Sequence, residues 1–575
     1  MRVPPKAFIL ASLLLILLCG LKLTYQLQDY LDIGLHDESL YMWSGITFFN
    51  AAPNPQGGPL YSLWYHLLYL FQPDRIKLYY LNQALLTILP PLFIFLLLVA
   101  YRVPLALGLL LAIFFLCSNS NLPIWPKVSV LVLLLVTAAT ALLPLVQSRL
   151  NKFLLFSTLA LLCAYIRPEL YVAFILLGIC ALLLLLHGVW HQKLPAAAMV
   201  PAGLPVALAV ILQSTLGNPM GGNRSIIAFG QHFASNYLTW TNGDLNAWND
   251  WPLIMAENFG ESTDSIVEAL LANPPIFFKH LLQNVGDFAA LWANKSSNIV
   301  YPGSLFFGSN NQPLVLWFKI LLLGGLAVGL TRFVVRTFAQ RGNQPRPQAL
   351  LTASKKAVRA VAGRFTQNLS ARRWELVLLG LLLLPILASC ILIYPREHYQ
   401  VMQLPLGLVL LSLLLGGPGS GRAAGSTAWN VYYAVLLVTL VALVPRAGGI
   451  TKNQGKLDDT NLNVIRAIRQ LNVSGNVNLL EGEGGYHIYL GENYSWVAIY
   501  AKDTGFNAFM KRENVNMVYV STGMLENYRY RDDAEWHAFL NNYQQYGFRK
   551  VPIPRSPYYL LVADALFPQT GAAVP

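Results

Sequence analysis

Charge is what this sequence has least of. Only 12% of its 575 residues are Asp, Glu, Lys or Arg, while 55% are hydrophobic and the mean hydropathy is +0.48. A soluble domain carries about 25% charge, so an ordinary soluble protein is excluded and a polytopic membrane protein is implied. Acids are the scarcer sign, 27 against 40 Lys and Arg. The basic excess is concentrated: ten Lys and Arg and no acid lie between Arg332 and Arg373. That run reads as a cytoplasmic loop under the positive-inside rule, and no nucleic-acid partner is implied. Cysteine is scarce as well. Cys19, Cys117, Cys163, Cys180 and Cys390 sit in or at the ends of apolar segments without any CxxC spacing, so they read as small buried hydrophobes rather than metal ligands or disulfides. No internal repeat is evident.

What is abundant is apolar sequence of membrane-spanning length. Arg2 and Lys6 precede an apolar run from Ala7 to Leu21, and large residues occupy the place of a cleavage site, which predicts an uncleaved first span. Further spans are expected near 7–23, 76–101, 103–118, 127–147, 153–166, 170–188, 195–214, 313–335, 374–393, 399–417 and 428–444, giving eleven to thirteen transmembrane helices. The stretch 59–71 is too short to cross and reads as interfacial or re-entrant. With an odd count, Arg2, Lys6, Arg102, Arg149, Lys152, Lys193, the basic loop 336–373 and Arg422 share one face, which is then cytoplasmic together with the amino terminus. The opposite face of the cell (inner) membrane receives the loops 24–75 and 215–312 and the carboxy-terminal tail.

Two domains are therefore expected, a membrane domain over 1–445 and an extracytoplasmic α/β domain over 446–575. The tail alternates helix-like and strand-like runs, with strands at 477–480, 496–500, 517–520 and 558–562, which suggests a largely parallel sheet. Glu481-Gly482-Glu483-Gly484-Gly485 lacks the spacing of a phosphate cradle and reads as a plain turn. In the long loop, Asn273 before Pro274 and Pro275 marks a helix start. The apolar residues that follow fit either an interfacial helix shaping a lipid-side entrance or a packed lid.

Against this background the acidic turn His36-Asp37-Glu38-Ser39-Leu40-Tyr41 stands out. Asp37 and Glu38 point about 100° apart on a helix, so one can act while the other orients it. A carboxylate shielded from water would have a raised pKa suited to a general base, and the alternative is a solvated helix cap. Two further outer turns add charge at the same depth, Arg167-Pro168-Glu169 and Arg396-Glu397-His398-Tyr399. Their arginines suit a phosphate through charge-assisted bonds, or else pair locally with Glu169 and Glu397. Lys127 reads as an anchor or a further cation, and His66 as a structural histidine.

Taken together, the first span, the Asp37-Glu38 loop, the aromatic Gly58-Pro59-Leu60-Tyr61 segment and the outer turn leading from Arg396 to Gln403-Leu404-Pro405 resemble the GT-C superfamily. Its members include protein O-mannosyltransferases and the aminoarabinose transferase of lipid A. The resemblance implies a glycosyltransferase that passes a sugar from a polyprenyl phosphate to a lipid, protein or glycan acceptor, with inversion. Asp37 would then be the base and Glu38 its companion. Arg396, with Arg167 or His398, would stabilise the departing phosphate, and Tyr41, His66, Glu169, Glu397 and Tyr399 would line the pocket. Relatives carry a further acid where this chain has Pro123-Ile124-Trp125-Pro126-Lys127. That leaves a divalent metal open and offers Lys127 as substitute charge. The alternatives are a lipid-linked glycan polymerase or ligase, and a lipid or sugar flippase. A flippase would place ionisable groups near the midplane.

Overall fold

The computed structural model describes residues 6–118, 120–122, 127–192, 200–243, 245–300, 346–415, 437–439, 441–445 and 461–568, with positions 316, 320 and 435. The chain falls into two compact units. The first comprises 1–25, 53–60 and 83–451, and the second 26–52, 61–82 and 452–575. The acidic turn thus belongs to the same unit as the tail.

The first unit is built from apolar helices: α1 (Lys6–Thr24), most of α4 (Arg75–Ala100), α5 (Leu105–Leu116), α6 (Val128–Leu142), α7 (Arg149–Ala164), α8 (Leu170–Gln192) and α9 (Val200–Leu216). A further helix runs over Arg346–Leu392 and a shorter one over Leu404–Leu415. Five helical segments among the described residues are long and apolar enough to cross a membrane. The expected spans 313–335 and 428–444 lie largely outside the described residues. α6 is apolar all round and buried over Val128–Leu134, as a central helix should be. α1 and α8 instead turn Leu10, Leu14, Leu18, Ile179, Leu183 and Leu186 outward, an exposure that suits lipid and not water. Part of the expected basic loop is helical: residues 346–373 continue into the expected 374–393 span as one helix of 47 residues. Its Ala, Leu, Gln, Lys and Arg are strong helix formers, so charge alone does not interrupt it. Near its middle Glu375 binds Lys152 of α7 at 2.9 Å, and Arg372 donates to the Tyr101 carbonyl at 3.0 Å and to Ser412 Oγ at 2.7 Å.

The long loop is also helical, forming α10 (Arg224–Thr241), α11 (Trp251–Phe259), α12 (Ile266–Ala272) and α13 (Pro274–Val300) around Phe229, Phe233, Ile254, Phe259 and Phe277. On α13, Phe277 is in this core while Phe278, Leu282 and Val285 are exposed.

The second unit holds α2 (Asp37–Ile46), most of α3 (Pro59–Tyr69) and a five-stranded sheet. Its strands are β1 (Val477–Glu481), β2 (Tyr494–Ala498), β3 (Met517–Val520), β4 (Phe548–Pro552) and β5 (Tyr559–Ala563), in the order β2-β1-β3-β5-β4. The pairs β1-β2 and β1-β3 are parallel, whereas β3-β5 and β4-β5 are antiparallel, so the sheet is mixed rather than largely parallel. β4 escapes a sequence reading because Arg549, Lys550 and Pro552 give it the polar, Pro-ended pattern of an edge strand. Trp536, Phe506, Phe539 and Tyr530 fill one side of the sheet.

The first outer loop is stitched into this domain by specific bonds. Asp32 accepts from the amides of Asn461 and Leu462 at 2.9 and 3.0 Å and so caps the Asn461–Arg469 helix. Tyr489 donates to the Gly34 carbonyl at 2.5 Å, Arg75 to the Ile488 carbonyl at 2.8 Å, and Arg469 pairs with Asp74 at 3.1 Å.

Candidate active site

Asp37 and Glu38 open α2, where acidic side chains complement the positive end of the helix dipole. Asp37 is exposed, whereas Glu38 is fully buried. Tyr61 and Tyr65, one turn apart on α3, both donate to Glu38 Oε1 at 2.6 Å, and Asn82 Nδ2 lies 3.1 Å from the same oxygen. Asn82 also donates to both tyrosine hydroxyls at 2.8 Å, closing the network. Burial first, and the Glu38 carboxylate second, hold both phenols protonated well above their ordinary range, so they act as donors here. Tyr41 is buried edge-on to Tyr61 at 5.2 Å. The crossing of α2 over α3 depends on Gly45, where a Cβ would lie 2.6 Å from the Ser62 carbonyl oxygen. His66 Nδ1 lies 2.9 Å from the Gly45 carbonyl. A carbonyl only accepts, so Nδ1 carries the proton and the role is structural.

The residue before Asp37 is unusual. His36 has φ +52° and ψ −126°, a region L-residues rarely occupy without outside support. The support comes from the tail: His36 N–H donates to the Gly484 carbonyl at 3.2 Å, and its Nε2 lies 3.4 Å from Glu483. Ser39 Oγ donates back to the His36 carbonyl at 2.8 Å.

The cations are organised in the first unit. Arg167 is buried, 3.2 Å from Glu169, 3.1 Å from His398 Nε2 and 4.8 Å from the Tyr399 ring. Arg396 bonds His232 Nε2 and lies 5.8 Å from the Trp248 ring. Guanidinium only donates, so both imidazoles accept and are neutral at these nitrogens. Burial, then the neighbouring arginines, lower both histidines, His232 to about 3 and His398 well below its ordinary value. The two arginines therefore keep their charge while their geometry is fixed. His232 stacks on Tyr394 at 4.8 Å, which orders the turn before Arg396. Glu397 is exposed. Lys127 is fully buried, donating to the Asn121 carbonyl at 2.6 Å and to Thr87 Oγ1 at 3.3 Å.

The structure thus brings Arg167, Glu169, His398 and Tyr399 together, and separately groups Glu38 and Tyr41 with Tyr61. Sequence reasoning missed His232, Trp248, Tyr61, Tyr65 and Asn82 as site residues. The i, i+4 spacing of Tyr61 and Tyr65 and the amide pair Asn82-Gln83 beside an apolar run were the available signals. Among the described residues no group of three His, Cys, Asp or Glu is placed to hold a metal ion.

No family model matches the chain, and no curated protein matches it. Among solved structures, it is similar to ArnT from Cupriavidus metallidurans bound to undecaprenyl phosphate, over 98% of this chain and 99% of that one, with 14% identity and a TM-score of 0.35.

Proposed function

We propose that this chain is an inverting membrane glycosyltransferase of GT-C type that moves a sugar from a polyprenyl-phosphate donor to a hydroxyl or amine acceptor at the outer face of the inner membrane. One observation carries the reading: of two adjacent acids, Glu38 is buried and fixed by two phenol donors while Asp37 is exposed at the start of the same helix. That is a division into an orienting carboxyl and an acting one. In this reading the acceptor oxygen or nitrogen attacks the anomeric carbon and its proton passes to Asp37. The bond from that carbon to the phosphate oxygen breaks, and the electron pair leaves with the lipid phosphate. Arg167 and Arg396 neutralise the departing phosphate, and their neutral histidine partners hold the guanidiniums without cancelling their charge. Lys127 acts as a structural cation on Asn121 and Thr87. Arginine pairs of this kind also suit an anionic lipid headgroup.

The test is release of labelled sugar from a panel of polyprenyl-phosphate sugars, with candidate acceptors, by purified protein in liposomes. Asp37→Asn keeps the shape and removes the base, and should lower turnover by about 100-fold or more. Equal turnover by parent and variant would remove Asp37 as the base. Robust lipid flipping without sugar release would replace the reading with transport.

A further inference from the structure

The turn Glu481 to Gly485 leaves β1 and does more than reverse the chain. Glu481 is fully buried, and its Oε2 accepts from the amides of Glu483 at 2.5 Å and Gly484 at 2.8 Å. Those two bonds curl the turn so that the Gly484 carbonyl and the Glu483 carboxylate both face His36. Gly484 and Gly485 have φ of +66° and +124°, values that glycine adopts without strain. At Gly485 a Cβ would lie 2.6 Å from Ser39 Oγ and 3.4 Å from the His36 nitrogen. The turn therefore fits against the first residues of α2 with no room for a side chain. It contacts them where the backbone of His36 is strained and one residue before the exposed acid.

We infer that Glu481 is a positioning residue for Asp37: by shaping the glycine turn that grips His36 and Ser39, it sets the direction in which Asp37 presents its carboxylate. This rests on the proposed role of Asp37, and it assigns the tail a part in the reaction itself. A misplacement of about 1 Å at a reacting group can cost about 100-fold, so the grip is expected to affect kcat more than KM.

The experiment uses the full chain in liposomes with two readouts, hydrogen exchange of the peptide covering 36–40 and kinetics of sugar release. Glu481→Ala should speed exchange at 36–40 by about tenfold while β1, β3 and β5 keep their protection. Its kcat should fall about tenfold with KM within about twofold. Glu481→Gln, which retains an oxygen acceptor, should restore both. Gly485→Ala should act like Glu481→Ala, and adding Ser39→Ala should recover part of the loss by removing the struck hydroxyl, an interaction read from the double-mutant cycle. Unchanged exchange at 36–40 in Glu481→Ala, or loss of protection shared across the sheet, would overturn the inference. So would full activity in Glu481→Ala when Asp37→Asn is inactive. If exchange responds as expected but Asp37→Asn retains parental turnover, the grip stands and the catalytic reading of Asp37 falls.

Discussion

Asp37 and Glu38 are one peptide bond apart and live in different solvents. The Glu38 carboxyl is anchored by Tyr61, Tyr65 and Asn82, and the network has no slack because each phenol also accepts from Asn82. Tyr65→Phe removes a 2.6 Å donor to a buried carboxyl and strands an Asn82 hydrogen, and should destabilise the protein by about 1–3 kcal/mol. A lowered thermal midpoint of the purified protein reads this, and an unchanged midpoint would show that Glu38 is not held as described. Scarcity made the two acids legible in the sequence, since a carboxylate pair stands out among so few acids. Which of them is buried was not legible, because the deciding donors lie 23 and 27 residues further along the chain. Arg167 and Arg396 were legible for the same reason. The Arg396 partner His232 was not, since it lies 164 residues away on a helix expected only as loop.

Among the elements, the tail strands were readable wherever four or five apolar residues ran together, and β4 was lost because its charges face outward. The glycine turn after β1 looked like a plain turn because its function depends on α2, more than 400 residues earlier. It carries a testable pH signature. Burial pushes the Glu481 carboxyl up to about 7 from an ordinary 4.5, against the lowering effect of its two amide donors. Between those values the folded chain binds a proton that the unfolded chain releases, so the stability Glu481 contributes is complete below about 4.5 and lost as pH rises through about 7. The size is roughly 3 kcal/mol. The charged groups facing it are Glu483 and His36. Their mutual bond raises His36 and lowers Glu483, and because both are about half exposed that pair is largely screened. Glu481→Gln should therefore match the parent's melting temperature near pH 4 and exceed it at pH 8. An identical fall in both proteins over that range would assign the pH dependence to other groups.

At the scale of the whole molecule, hydropathy located the five described segments long and apolar enough to cross a membrane, and the Arg346–Leu392 helix shows where it failed, since basic residues extend a helix as readily as they end one. A boundary at 445 follows from composition, but composition cannot report that residues 26–52 and 61–82 share a unit with the tail. Removing everything after Pro445 would take away the helix that Asp32 caps, free the Gly34 carbonyl and leave His36 strained without its partner. Such a truncation should lose donor cleavage and show protease cuts between 26 and 52. Retained cleavage activity would reduce the tail to a cover. The interleaved order of the second unit also bears on synthesis. Asn82 leaves the ribosome about 380 residues before Asn461, roughly 20 to 80 seconds at ordinary elongation rates. Throughout that interval the acidic turn has no glycine turn to rest on, so its assembly waits for translation to pass Gly485.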